Sequence, residues 1–143
     1  MDLQKKQFKT EFNGKPVILE VSRLAEQANA SIIGRYGETV VLATVVLGKE
    51  DRDIDYMPLT VDYEEKFYAV GKILGSQYVR REGRASEHAV LSGRLIDRSI
   101  RPLFPKSYKK DVQVVITVLS VDGENEPDVL SIIAVSAALH ASP

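Results

Sequence analysis

Residues 40–47 read Val-Val-Leu-Ala-Thr-Val-Val-Leu, eight positions with no charge, no proline and no glycine. Five of the eight are β-branched, and a stretch of this kind is most stable as a strand at the centre of a sheet, buried on both faces. The rest of the chain must supply neighbours for it. Gln7 to Phe12 and Lys15 to Ser22 alternate polar and apolar residues around Asn13-Gly14, a strong short signal for an antiparallel hairpin. Ala28 to Arg35 precedes the central strand across a second turn at Tyr36-Gly37-Glu38. Leu59 to Tyr63 and Asp111 to Val121 read as further strands, the latter with good β-branched content. Lys49 to Asp55 carries Glu50, Asp51, Asp53 and Asp55 without the glycine and terminal glutamate of a calcium loop, so it reads as a solvated loop.

Two helices complete the pattern. Ser86 is a good N-cap, Glu87 suits a helix N-terminus and Pro102 ends the run, which predicts a helix over about Ser86 to Arg101 with Leu91, Leu95 and Ile96 as its apolar face. Pro127 opens a second helix at its first turn, with Glu126 and Asp128 favourable beside it. Asp122 and Glu124 are assigned to the turn before it. This second helix, VLSIIAVSAALHASP, is apolar on more than one side and lacks a C-cap. It is therefore expected to await a packing partner, from a partner chain or from a longer domain. The fold class is α+β, a mixed sheet packed with helices and incomplete at the C-terminus.

Charge is concentrated in and around the first helix. Residues 80–110 hold nine basic side chains against three acids, in a chain whose formal net charge is −1. Arg80, Arg81 and Arg84 fall in a polar, glycine-containing loop. Arg94, Arg98 and Arg101 stand at i, i+4 and i+7 on the helix that follows. Guanidinium forks bind phosphate oxygens bidentately, so this arrangement suits RNA or another polyphosphate ligand. The helical arginines also have a structural reading, since Asp97 can pair with Arg94 or Arg101 and cations complement a helix C-terminus. The irregular stretch from Glu64 to Ala85 is long for a compact domain, and such loops usually carry function.

Composition narrows the classes. The chain has 143 residues, enough for one domain, and 44% hydrophobic with 27% charged residues is ordinary for a folded protein. Without cysteine there is no disulfide framework or thiolate metal site, and the isolated His88 and His140 cannot build a zinc cluster. They are expected at the surface or in helix packing. No run approaches the roughly 18 apolar residues that span a bilayer, and the start lacks an apolar signal core, so no membrane association is expected and the default location is cytoplasmic.

The run PLTVDYEEKFYAVGKILGSQYVRREGRASEHAVLSGRLIDRSIRPLFP resembles the first core domain of the bacterial polynucleotide phosphorylases, of the RNase PH family. It follows that family's PLTVxYxE, AxGKIxGS, REGRPSE and RLIDRPIRPLF segments. LEVSRLAEQANASIIGRYGETVVLATVV and VQVVITVLSVDGENEPDVLSIIAVSAAL fit in the same order, so the resemblance spans nearly the whole chain. It implies an RNase PH-like fold (ribosomal protein S5 domain 2-like) in a phosphorolytic 3′ to 5′ exoribonuclease. Such an enzyme uses inorganic phosphate as co-substrate, releases nucleoside diphosphates in mRNA degradation, and forms a ring of three subunits with single-stranded RNA in its pore. Partners in an RNA-degradation complex are possible. The family's pore loop falls on Tyr78, Val79, Arg80 and Arg81, Arg84 matches its REGR turn, and Arg94, Arg98 and Arg101 match its helix arginines.

There are departures. Gln77 lengthens the loop by one residue, Val79 stands where an aromatic is common, and Ala85 and Ser99 replace prolines. The family's catalytic aspartates, lysine and phosphate-binding serine belong to a second core domain, and its magnesium site lies there too. Residues 1–143 are expected to form the N-terminal part of the first core, with the second core, KH and S1 domains outside the chain. No residue here is assigned a catalytic role. Two other readings remain open: a non-catalytic RNA-binding and oligomerisation module, and a domain of similar fold that binds a phosphorylated metabolite.

Overall fold

The Asn13-Gly14 pair starts the sheet as a tight hairpin turn. Both residues have positive φ, 50° and 72°, the backbone that matches the twist of two antiparallel strands. It joins β1 (Lys6–Phe12) to β2 (Lys15–Val21), in register from Phe12 opposite Lys15 to Lys6 opposite Val21. Pro16 stands opposite Glu11, before the pairing of β2 with the next strand begins at Val17, so its missing N–H costs no ladder bond. The computed structural model describes residues 5–73, 75, 78 and 83–142.

β3 (Ala30–Tyr36), β4 (Thr39–Asp51), β5 (Leu59–Glu64) and β6 (Lys110–Ser120) complete a six-stranded sheet of order β1-β2-β3-β4-β6-β5. β4 lies between β3 and β6, antiparallel to both, as its apolar run requires. It is longer than expected. Its end pairs with β6 at Asp51 opposite Lys110, so part of the acidic segment read as loop is strand. Cross-strand pairing with a lysine supplies what local composition lacks.

The expectation of burial on both faces also changes. Thr39, Val41, Ala43 and Val45 are buried, whereas Val40, Leu42 and Thr44 are half-buried and Val46 is 40% exposed. The cause is that both helices lie over one face of the sheet. α1 (Glu87–Ile100) packs on β5, and α2 (Pro127–Ala141) packs on β3 and β4. Val17, Ile32, Val41, Ala43, Val45, Val114, Ile116, Leu130 and Val135 form the core between them.

One side of α2 packs within the chain, while on its other side Val129 is 46% exposed and Ile132, Ile133 and Leu139 are half-buried. Leu130, Ser131, Ala134, Val135 and Ala138 are buried, and Gly34 of β3 lets the helix come close. A Cβ on Gly34 would stand 3.2 Å from Leu130 Cδ1 and 3.3 Å from Ala134 Cβ. The turn before α2 is held by Asp122. Its carboxylate accepts the N–H groups of Glu38, Glu124 and Asn125, and together these hold it well below the usual carboxylate range, with the Asn125 backbone N–H the largest cause. Of the acids of this segment, Asp122 serves the turn and Asp128 stands in the first turn of α2, while Glu124 pairs with Lys15 and Glu126 makes no side-chain cap.

β5 and β6 run parallel, and a parallel pair cannot be joined by a tight turn. The crossover between them contains a 3-10 turn (Phe67–Val70), the basic loop and α1. The crossover therefore sets the start of α1 at the end of β5 and its last turn at the start of β5.

Candidate nucleic-acid interface

Ser86 caps α1 as expected, its side-chain oxygen accepting the N–H of Ala89 at 3.0 Å. The same hydroxyl donates to Glu65 Oε2 at 2.6 Å, and Glu65 Oε1 lies 2.7 Å from His88 Nδ1. One carboxylate just beyond β5 thus holds two side chains at the start of α1. On the far side of His88, Nε2 lies 4.0 Å from Asp128 Oδ2, which accepts the Ser92 hydroxyl at 2.9 Å. The Glu65 hydrogen bond is the main cause that raises the His88 pKa above its ordinary value, with Asp128 and Glu126 acting in the same direction. Nearby, burial is the main cause that raises the pKa of the Tyr63 hydroxyl and keeps it protonated.

The helix does not turn the expected residues inward. Leu91 is 62% and Leu95 49% exposed, and the buried side is Ala89, Ser92, Gly93, Ile96 and Ile100. Small residues at 89, 92 and 93 let the helix approach β5, and a Cβ on Gly93 would stand 3.5 Å from Val61 O. Only Ile96 of the three expected contacts is buried. The outer face therefore alternates leucines with Arg94 and Arg98.

The arginine stripe divides. Arg94 and Arg98 are exposed, and among the described residues they make no hydrogen bond or ion pair; the same holds for Arg84 in the bend before the helix. Arg101 is used internally. Its Nε and Nη2 meet both oxygens of Asp97 at 2.9 and 2.6 Å, and Nη1 and Nη2 donate to the carbonyls of Met57 and Leu59 at 3.0 and 3.1 Å. It clamps the end of α1 to the start of β5. Arg84 and Arg94 line one open cavity of about 1040 Å³, together with Tyr63, Glu65 and His88. Arg101 lines a different, more polar one with Arg52 and Tyr56.

Tyr78 lies with 87% of its surface exposed. Val79, Arg80 and Arg81 lie outside the described residues. Glu65 was missed at the sequence level because its partners are 21 and 23 residues away, beyond any local spacing. Among the described residues no three of His, Asp and Glu converge as a metal centre would require. No helix there is long and apolar enough to cross a membrane.

Comparison with known proteins agrees with this architecture. Residues 13–142 match the RNase PH family model, described as the 3′ exoribonuclease family, domain 1. A polyribonucleotide nucleotidyltransferase of Macrococcus caseolyticus is 54% identical over 142 residues, which is 99% of this chain and 20% of that protein. Another from Thermomicrobium roseum is 59% identical over 133 residues, 92% of this chain and 17% of that one. The chain thus spans about a fifth of the length of these relatives. Among solved structures, an Archaeoglobus fulgidus exosome with RNA bound to its active site is 23% identical with a TM-score of 0.65, covering 88% of this chain and 51% of that one. Rice Rrp46 gives 15% and 0.60, covering 96% and 55%. These two establish the fold, a mixed sheet of six strands with two helices.

Proposed function

This chain belongs to the RNase PH family of 3′ exoribonucleases, as a domain 1, and from that premise we propose that it is the RNA-contacting, ring-forming part of a phosphorolytic polyribonucleotide nucleotidyltransferase. The parent enzyme shortens single-stranded RNA from its 3′ end with inorganic phosphate and releases nucleoside diphosphates, as a cytoplasmic homotrimer in mRNA degradation. The observation that carries the reading is the outward-facing set Arg84, Arg94 and Arg98, which have no internal partner among the described residues, with Arg84 and Arg94 lining an open cavity; Tyr78 is a separately exposed aromatic. Exposed aromatics stack on bases whatever the sequence, while arginines follow the phosphates. Arg80 and Arg81 are assigned RNA contact in this reading. Arg101 contributes by holding α1 in place.

Among the described residues the donor set does not fit magnesium. Asp122 accepts three backbone N–H groups and Glu65 holds Ser86 and His88; Asp128 takes Ser92 on Oδ2 and has one buried oxygen, Oδ1, without a partner, but no three such side chains converge on it. The cation and the phosphate-activating residues belong, in this reading, to the longer protein.

Two assays test the proposal. Given single-stranded RNA and phosphate, the 143-residue chain is expected to release no nucleoside diphosphate. Turnover would show that the chemistry resides here. Ultraviolet crosslinking to single-stranded RNA, followed by peptide mass spectrometry, is expected to mark peptides spanning Tyr78 to Arg98; crosslinks confined to the β1–β2 hairpin would contradict it.

A further inference from the structure

Glu65 lies just beyond the end of β5 against the first turn of α1, and His88 links that turn to the start of α2. Its two oxygens are divided between the Ser86 hydroxyl and the His88 ring, at 2.6 and 2.7 Å. Ser86 uses its remaining capacity on the Ala89 N–H, so the helix cap and the anchor to β5 share one hydroxyl. Arg84 lies two residues before that cap and lines the same cavity as Glu65 and His88.

We propose that Glu65 is a positioning residue for the RNA-facing surface, fixing Arg84 and the first turn of α1 through Ser86 and His88, with a grip that loosens as His88 gives up its proton. The proposal rests on the RNA-binding reading above. The groups facing His88 are Glu65 beyond β5, Asp128 in α2 and Glu126 just before it, all acidic. Protonated, the ring donates a charge-assisted bond to Glu65 and turns its second N–H towards Asp128. Neutral, it keeps at most one N–H and loses the charge. Because the folded pKa is raised, the grip is complete below the ordinary histidine value of about 6.5 and is lost as pH rises through the raised value. His88 and Glu65 are partly exposed, with 60% and 40% of their side-chain surfaces accessible, so the effect is graded rather than all-or-none.

The test compares wild type with Glu65→Gln and His88→Gln. In ring NMR, Glu65→Gln is expected to return the His88 midpoint towards about 6.5. An unmoved midpoint would overturn the clasp. In oligonucleotide binding at about pH 6, Glu65→Gln is expected to weaken affinity about two- to fivefold, the scale of an exposed pair. If Glu65 acted only as a negative charge beside a polyanion, its removal would strengthen binding instead, and that result would overturn the positioning role. His88→Gln, which leaves the Ser86 anchor intact, is expected to flatten the change in affinity between about pH 6 and 8.5. A wild-type chain that binds no RNA would refute the functional reading. The clasp would then be decided by the His88 titration and by amide exchange at Arg84 to Ala89, expected to be faster in Glu65→Gln at the same pH.

Discussion

A guanidinium's role depends on whether a carboxylate and free carbonyls reach it. Arg101 has Asp97 one turn back and two carbonyls of the Met57–Leu59 segment in front, and so becomes a structural clamp. Arg94 and Arg98 stand on the same helix without such partners among the described residues. Arg101→Ala is accordingly expected to destabilise the fold by about 1–2 kcal/mol in chemical denaturation, since it strands two backbone acceptors and an acid. Arg94→Ala and Arg98→Ala should leave stability within about 0.5 kcal/mol. The Asp97 pair follows the i, i+4 spacing that the sequence offered, whereas the carbonyl partners lie 42 and 44 residues away, beyond any spacing rule. Asp122 gives a pH signature of a different sign from that of His88. Its folded pKa is depressed, so its contribution is present above the ordinary carboxylate range and is lost as pH falls through the depressed value. Asp122→Asn should lower the melting temperature at pH 7, with the gap to wild type narrowing as the medium is acidified below about pH 4.

At the level of elements, what is local was legible. The Asn13-Gly14 hairpin, the Ser86 cap and the Pro127 helix start each follow from a few adjacent residues, and each stands where expected. The facing of α1 was not legible, because periodicity weighs size and the helix buries its small side instead. Glycines test that account. Gly93→Ala meets only ordinary contacts and gains helix propensity, so it should be neutral or stabilising by up to about 1 kcal/mol. Gly34→Ala pushes on Leu130 and Ala134 at the seam of α2 and should cost about 1–3 kcal/mol. Equal effects in thermal or urea unfolding would contradict this placement of the two helices. The reach of β4 to Asp51 was hidden for another reason: its last residues are charged, and pairing with Lys110 decides them.

For the whole molecule, the order β4-β6-β5 with one parallel pair dictates a crossover, and the crossover lays α1 along β5, its first turn at the end of that strand. The α+β class and the family pattern were readable because they extend over almost all of the chain. The division of the arginines and the Glu65 anchor were not, because both depend on contacts between distant segments. The central claim is that this surface takes the phosphate backbone of single-stranded RNA. It is tested most directly by the affinity for a single-stranded oligonucleotide across a salt series, in wild type and in Arg84→Ala/Arg94→Ala/Arg98→Ala. Five phosphate contacts, from Arg80, Arg81, Arg84, Arg94 and Arg98, predict a slope of log K against log salt of about −3.5 for wild type, reduced in magnitude by about 2 in the triple variant with unchanged melting. A wild-type slope near zero, or a triple variant that keeps the full slope, would contradict the account.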